Sequence, residues 1–289
     1  MKLTSKPPPD PVVIKFKNIA ALQQEAEAIH RKLNENGETG NQYLVVKRLP
    51  KGASVLLGEY RKMMDSVTCR LSWEGETGKI RIVPSPAYTM TTRRLADKIT
   101  DALLNRAVRF RDFGWGSTKA YPSLTGRGGK QPDDCFLPPM RRELPAEEVK
   151  WPTLVIVSGT SESQEKVIED ASWWFENSYG RVRMVITLLI NRAKKIINWE
   201  MRQLTKKGQS PPERSYFAKP YLEMPPLALQ HPAEQQQYVS QMGQFSQDRI
   251  IKNTRMYIHF RALFDRRPGP REKDIQLNAH DLIDIAKYL

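Results

Sequence analysis

The stretch "KWPTLVIVSGTSESQEK", residues 150–166, indicates the fold class of this 289-residue chain most directly. Its apolar run at 153–158 has the length and the β-branched composition of a buried strand, and a polar, cap-like turn follows the strand. A helix is predicted over about 162–177, and the apolar run "RVRMVITLLI" at 181–190 predicts a central strand. A strand, a helix and a second strand in this order predict an α/β sheet that holds ligands near its strand ends.

The segments before this stretch extend the same pattern. Apolar residues at three- and four-residue spacing predict helices over 18–36 and 85–110. The alternation in "VTCRLSWEGETGKIRIVP", residues 67–84, predicts a β-hairpin, and "KQPDDCFLP" at 130–138 predicts a short strand that carries Asp133. Further elements are predicted at 43–47 (strand), 54–64 (helix), 194–202 (edge strand), 255–264 (strand) and 278–289 (helix). The fold class expected from these elements is α/β, with a mixed central sheet flanked by helices.

Composition divides the chain into five parts. They are a flexible arm (1–17), an N-terminal helical extension (18–66), an α/β core (67–204), a Pro/Gln-rich extended segment (205–254) and a C-terminal strand and helix that pack on the core (255–289). Closely spaced prolines oppose regular structure, so the first part is predicted to be a flexible or polyproline arm, and the fourth part an extended segment that packs on the core or is partly disordered.

The charge of the chain predicts a polyanionic partner. Lys and Arg number 46 against 32 Asp and Glu, which leaves a net charge of +14. Nucleic acid is the leading partner, an acidic membrane surface or protein is second, and a solvated basic surface without a special partner is the alternative. No apolar run is long enough to span a membrane and no secretory signal is visible, so we expect no membrane association and an intracellular, nuclear or cytoplasmic location. Cys69 and Cys135 lack metal-ligand or disulfide spacing and are predicted to be buried thiols.

Three blocks of the sequence resemble a known family. They are "GKQPDDCF" (129–136), "WPTLVIVSGTSESQEKVIEDASWWFENSYGRVRMVITLLI" (151–190) and "LFDRRPGPREKDIQLNAHDLIDIA" (263–286). They resemble the PD-(D/E)XK nuclease superfamily, and more narrowly a mostly uncharacterised branch of it that is common in fungi. The resemblance implies a restriction-endonuclease-like mixed central sheet with N- and C-terminal extensions, a nuclease-like core over 67–204, and metal-dependent cleavage of phosphodiester bonds.

The resemblance also implies a degenerate active site. Asp133 matches the metal-binding carboxylate, and Lys166 lies where this branch places its lysine. Val157 stands where the family has a glutamate, and Thr89 stands where a further glutamate occurs near the start of the long helix. Because Mg²⁺ is held through several oxygen ligands, we expect impaired catalysis and either no cofactor or weakly bound Mg²⁺.

Three hypotheses about function therefore remain open. The first is a catalytically impaired nuclease-fold protein that binds DNA or RNA through a basic surface. The cations proposed for this surface are Arg93, Arg94, Lys98, Arg106, Arg109, Arg111, Lys119, Arg127 and Lys130. The second is an active Mg²⁺-dependent nuclease that uses displaced carboxylates, for which Asp134, Glu162, Glu165 and Glu169 are available. The third is a protein-interaction module that engages a partner through 205–289.

Overall fold

The computed structural model describes residues 11–59, 67–106, 108–116, 119–142, 149–160, 164–210 and 232–289. The strands are β1 (Val12–Lys15), β2 (Tyr43–Lys47), β3 (Cys69–Glu74), β4 (Thr77–Ile82), β5 (Gly114–Trp115), β6 (Tyr121–Pro122), β7 (Gly128–Lys130), β8 (Asp134–Leu137), β9 (Leu154–Thr160), β10 (Met184–Asn191), β11 (Ile196–Lys206), β12 (Gln235–Ser246), β13 (Ile250–Lys252), β14 (Met256–Ile258) and β15 (Ile275–Leu277). The helices are α1 (Ile19–Glu35), α2 (Lys51–Glu59), α3 (Pro86–Leu104), α4 (Pro139–Arg142), α5 (Gln164–Asn177), α6 (Phe260–Phe264) and α7 (Ala279–Ile285).

The larger sheet has seven strands in the order β13-β12-β11-β10-β9-β8-β5. β9 and β10 are parallel and the other neighbours are antiparallel, so the sheet is mixed. β10 lies at its centre, as its apolar sequence predicts. β9 is buried on both faces, because Leu154 and Ile156 join the core that includes α3, whereas Val155 and Val157 join the core that includes α5. The α/β class with a mixed sheet flanked by helices is confirmed.

The smaller sheet has six strands in the order β1-β2-β4-β3-β7-β6. Helix α1 covers one face of this sheet with Leu22, Ala26, Ile29 and Leu33, which pack in one core with residues of β2, β3 and β4. The Asn18 side chain accepts a hydrogen bond from the Ala21 N–H at 2.8 Å and caps the helix. The opposite face of the sheet carries polar side chains and turns toward the larger sheet.

Two predicted boundaries in the first part of the chain are wrong. The arm assigned to 1–17 contains β1, which pairs in parallel with β2, while residues 1–10 lie outside the described ranges. The boundary placed between 18–66 and 67–204 would divide one sheet, because β2 is hydrogen-bonded to β4 along its whole length. Because β4 lies far from β2 along the chain, no local sequence pattern indicates that the two strands pair.

Where the structure describes it, the segment 205–254 is also more regular than predicted; residues 211–231 lie outside the described ranges. β11 is not an edge strand, because β12 pairs with it from Gln235 to Ser246. β12 contains no proline, and its glutamines find partners, such as Gln241 Nε2 donating to the Tyr257 carbonyl at 2.7 Å. The strand predicted at 255–264 is divided between β14 and α6. The proline content of the whole segment argued against regular structure, although the residues of β12 themselves contain no proline and can pair as a strand.

None of the helices in the described ranges combines the length and the hydropathy that crossing a bilayer requires. α3 is long enough, with 19 residues, but it carries Arg93, Arg94 and Lys98 near its middle.

An ion-pair cluster ties the C-terminal part of the chain to the core. Arg141 Nη2 lies 2.6 Å from Asp265 Oδ2, and Arg183 Nη2 lies 3.1 Å from Asp265 Oδ1. Arg141 also donates to the carbonyls of Trp151 and Arg181 at 2.9 and 2.7 Å. Because both arginine side chains are largely buried, the Asp265 carboxylate is the counter-charge that permits their burial.

Replacing Asp265 with Asn should lower the free energy of unfolding by about 3 kcal/mol or more, because two buried guanidinium groups would lose their counter-charge. Urea denaturation followed by tryptophan fluorescence measures the change. The matched control is Asp97→Asn, which removes an exposed partner of Arg93 and should cost less than about 1 kcal/mol. Equal losses in the two variants would contradict the role given to Asp265.

Candidate functional site

Asp133 lies where the two sheets meet. It immediately precedes β8, which pairs with β9, and it is buried. The Ser158 N–H of β9 donates to Asp133 Oδ2 at 2.7 Å, and the Ser158 hydroxyl donates to the same oxygen at 3.2 Å. Ser158, the residue after Val157, therefore supplies two donors that hold this carboxylate in place.

Two arginines of the smaller sheet also hold the Asp133 carboxylate. Arg70 on β3 and Arg81 on β4 are direct cross-strand partners, so their side chains project from the same face of the sheet. Arg81 Nη2 lies 2.6 Å from both Asp133 oxygens, and Arg70 Nε lies 2.9 Å from Asp133 Oδ1. Arg81 Nη1 donates in addition to the Ser158 carbonyl. Since like charges directly opposite each other repel, the carboxylate between them stabilises the arginine pair.

The electrostatics keep Asp133 and Arg81 charged. Burial acts to raise the pKa of Asp133, but the charges of Arg81 and Arg70 outweigh it, and the pKa lies below its ordinary value. For Arg81, burial acts to lower the pKa and the Asp133 charge outweighs it, so the pKa lies above its ordinary value. Asp133 is thus an ionised acceptor that is saturated by protein donors.

The residues around Asp133 do not fit a Mg²⁺ ion. The carboxylate already accepts four hydrogen bonds, which equals the approximately four lone-pair sites of its two oxygens, and Arg70 adds an ion pair. Val157 contributes hydrocarbon to the same cavity. Among the residues that the structure describes, no group of three or more His, Cys, Asp or Glu side chains could hold a metal ion. A hard cation would find two guanidinium groups at the place where it needs oxygen ligands.

The cavity that contains Asp133 and Val157 is not lined by Thr89 or Lys166, the other residues of the implied nuclease site. Thr89 is exposed on α3. Lys166 lies beside the cavity, because its ammonium is 4.1 Å from the centroid of the Tyr43 ring, which lines the cavity. The "SES" turn, Ser161-Glu162-Ser163, lies outside the described residues.

The acids proposed as replacements also form no such group. Glu165 and Glu169 are exposed on α5, and Glu162 lies outside the described residues. Asp134 is buried beside Asp133, accepts a hydrogen bond from the Cys135 N–H at 2.8 Å, and has a pKa raised to about 6 by burial. The Cys135 thiol is buried, as predicted, while Cys69 is only half-buried.

Asp133 lines a cavity of about 20 Å³ that carries more cations than acids. Its charged lining residues are Arg70, Lys79, Arg81, Lys130, Asp133 and Asp170. From the sequence, functional roles were predicted for only Asp133 and Lys130 of this set. The alternation of the hairpin could have indicated the other three cations, because Arg70, Lys79 and Arg81 occupy the strand positions that alternate with apolar residues on β3 and β4.

Several cations proposed to contact phosphates are already engaged within the protein. Lys130 is buried and paired with Asp170, and burial lowers its pKa although the Asp170 charge opposes this effect. On α3, the Arg94 Nη2 donates to the Tyr288 hydroxyl at 2.6 Å. Lys98 of the same helix lies 2.9 Å from Asp284 of α7. The C-terminal helix thus covers part of the face of α3 that was proposed to bind phosphates.

The remaining proposed cations are more accessible. Arg93 pairs with Asp97 on the surface of α3, and Arg106 is half-buried. Arg109 and Arg111 have side chains that are 66% and 72% exposed, although both lie near Asp112. Lys119 and Arg127 are also exposed. The accessible part of the predicted set is therefore Arg93, Arg109, Arg111, Lys119 and Arg127.

Comparison with protein-family models and with curated proteins finds no match for this chain. The structure shows an α/β fold with mixed sheets. Because a fold does not define a function, the function has to be inferred from the site itself.

Replacing Arg81 with Met should destabilise the protein by about 3–5 kcal/mol, because Asp133 would keep its burial and lose its principal counter-charge. The pKa of Asp133 should rise in the variant. A carboxylate with a lowered pKa contributes stability that is present above its unfolded pKa and is lost as the pH falls toward the folded value. Because the variant lacks this contribution, its destabilisation relative to the original protein should be largest near neutral pH and should shrink as the pH falls, as measured by urea denaturation series. Arg93→Met, at an exposed pair, is the matched control, and a destabilisation by Arg81→Met that does not vary with pH would contradict the assignment.

Asp134 should make the protein less stable as the pH rises. With a folded pKa of about 6 and an unfolded value of 3.8, the folded state binds more protons in this interval, so stability falls between about pH 4 and about pH 6. The shift corresponds to roughly 3 kcal/mol. The stability of Asp134→Asn relative to the original protein should grow across this interval in urea denaturation series. A difference that does not vary with pH would contradict the raised pKa.

Proposed function

We propose that this protein binds nucleic acid on a restriction-endonuclease-like variant of the α/β fold and does not cleave phosphodiester bonds through a metal at Asp133. The observation that carries the proposal is the engagement of both Asp133 oxygens by Arg81 and Arg70. In the implied nuclease site, this carboxylate would bind a cation. Here the protein supplies the cations itself.

The loss of metal-dependent cleavage follows from the same contacts. A divalent cation at Asp133 would have to displace Arg81 and would then lie beside two guanidinium groups of like charge. The displaced guanidinium would also lose its acceptor on Ser158. Metal-ion catalysis of phosphodiester hydrolysis needs the ion to polarise or deprotonate an oxygen. No described group of acids offers a second place for such an ion.

Charge supports the binding half of the proposal. A net charge of +14 attracts polyanions and accelerates their encounter. Arg109, Arg111 and Lys119 lie close together in sequence between α3 and β6 and are exposed, and Arg127 precedes β7. Exposed cations of this kind bind phosphates in a way that depends little on base sequence.

The protein-interaction hypothesis places a partner on 205–289, of which 255–289 was predicted to pack on the core. Where this segment is described, Phe245 of β12 and Leu282 of α7 are buried in the core of the larger sheet. These elements are components of the fold and are not available as an arm.

The protein should bind short DNA or RNA duplexes and single strands with an affinity that falls steeply between about 50 and about 200 mM salt. Fluorescence anisotropy of labelled oligonucleotides measures the affinity. The double variant Arg109→Ala/Arg111→Ala should reduce the slope of log affinity against log salt by about two for a duplex, because two phosphate contacts are lost. Arg31→Ala/Lys32→Ala, two exposed cations on α1, is the control of equal charge.

The same oligonucleotides should remain uncut in the presence of Mg²⁺ or Mn²⁺. Gel analysis of end-labelled strands detects cleavage. A product that disappears in Asp133→Ala would overturn the non-catalytic assignment, and a salt-independent affinity would overturn the electrostatic one.

A further inference from the structure

The cavity at Asp133 is lined by four cations and two carboxylates. Arg70 and Arg81 both contact Asp133, and Lys130 is paired with Asp170. The fourth lining cation is Lys79, and it forms no ion pair with a carboxylate of the described residues. A cavity whose charged lining is mostly cationic attracts an anion from outside the protein.

The register of the smaller sheet directs these cations to one place. Ser72 of β3 pairs with Lys79 on one side and with Lys130 on the other. Arg81 lies two residues after Lys79 on β4, so the two side chains project from the same face. Lys79 is half-buried, and its ammonium lies 4.8 Å from the centroid of the buried Tyr43 ring, which also lines the cavity. Lys79 is thus the least buried cation of the lining and marks the entrance to the cavity.

We infer that Lys79 and the cavity behind it bind a phosphate monoester, with the terminal phosphate of a nucleic-acid strand as its source. The inference rests on the proposed nucleic-acid binding and specifies which part of the ligand the site takes. Lys79 binds the phosphate from the open side, and Arg81 and Lys130 contribute positive potential from the inner side.

Charge favours a strand end over an internal phosphate. A phosphate monoester carries about −1.5 to −2 at pH 7 and an internal diester carries a single charge, so a lining of four cations and two carboxylates attracts the monoester more strongly. The cavity of about 20 Å³ has room for about one water molecule. One phosphate oxygen can enter this space while the other oxygens stay at Lys79.

The test compares oligonucleotides of one sequence that carry a 5′-phosphate, a 3′-phosphate or only hydroxyl ends. Fluorescence anisotropy at constant ionic strength should show about tenfold tighter binding of one phosphorylated form. Lys79→Gln should abolish this preference and leave the affinity for the hydroxyl form nearly unchanged, and Lys79→Arg should retain the preference. Lys47→Gln, which removes an exposed lysine from the neighbouring strand β2, is the matched control and should keep the preference. Circular dichroism establishes that each variant is folded.

A second measurement separates the two levels of the proposal. Inorganic phosphate, compared with chloride at equal ionic strength, should raise the melting temperature of the original protein and not that of Lys79→Gln. Oligonucleotide binding without any end preference, together with no phosphate-dependent shift, would overturn the monoester site and leave the proposed function standing. A phosphate-dependent shift that Lys79→Gln abolishes, without binding of any oligonucleotide, would support the site for free phosphate and overturn the proposed function.

Discussion

Two arginines of the smaller sheet contact one buried carboxylate, that of Asp133, and this contact joins the two sheets. Arg70 and Arg81 face each other on neighbouring strands, and their mutual repulsion would oppose the pairing of β3 with β4 if no anion lay between them. Asp133 supplies this anion from the other sheet. The contact therefore joins the two sheets, and Ser158 extends it to β9 by donating to the same carboxylate.

The same contact has opposite consequences for stability and for catalysis. A carboxylate that holds a metal must keep oxygen lone pairs available to the ion. At Asp133, these lone pairs are directed at guanidinium and Ser158 donors, and Val157 adds an apolar wall. The arrangement stabilises the junction between the sheets and is unsuited to a divalent ion. Nearby lies Lys79, which pairs with no carboxylate in the described part of the chain and is the basis for the proposed anion binding.

Local patterns predicted the regular elements well. The periodicity of α1 and α3, the alternation of the β3–β4 hairpin and the order of β9, α5 and β10 are all properties of contiguous residues. The failures are equally instructive. β1 and β12 lie in segments with many prolines, and the composition of the surroundings concealed short stretches that can pair. Strand pairing is decided by a partner far along the chain, which a local pattern does not contain.

The amino-acid sequence alone indicates which residues are apolar, the helices α1, α3 and α5, the strands β9 and β10, the excess of positive charge and the position of Asp133 after a short loop. What these residues do depends on how distant elements pack. Arg81 meets Asp133 across 52 residues of chain, and Arg94 meets Tyr288 across 194. Alternation showed that Arg81 projects from the polar face of its strand, but whether that face meets solvent, a metal or a buried carboxylate depends on which element covers it. Burial and partner choice set the charge state and the availability of a side chain, and both arise only when distant elements pack.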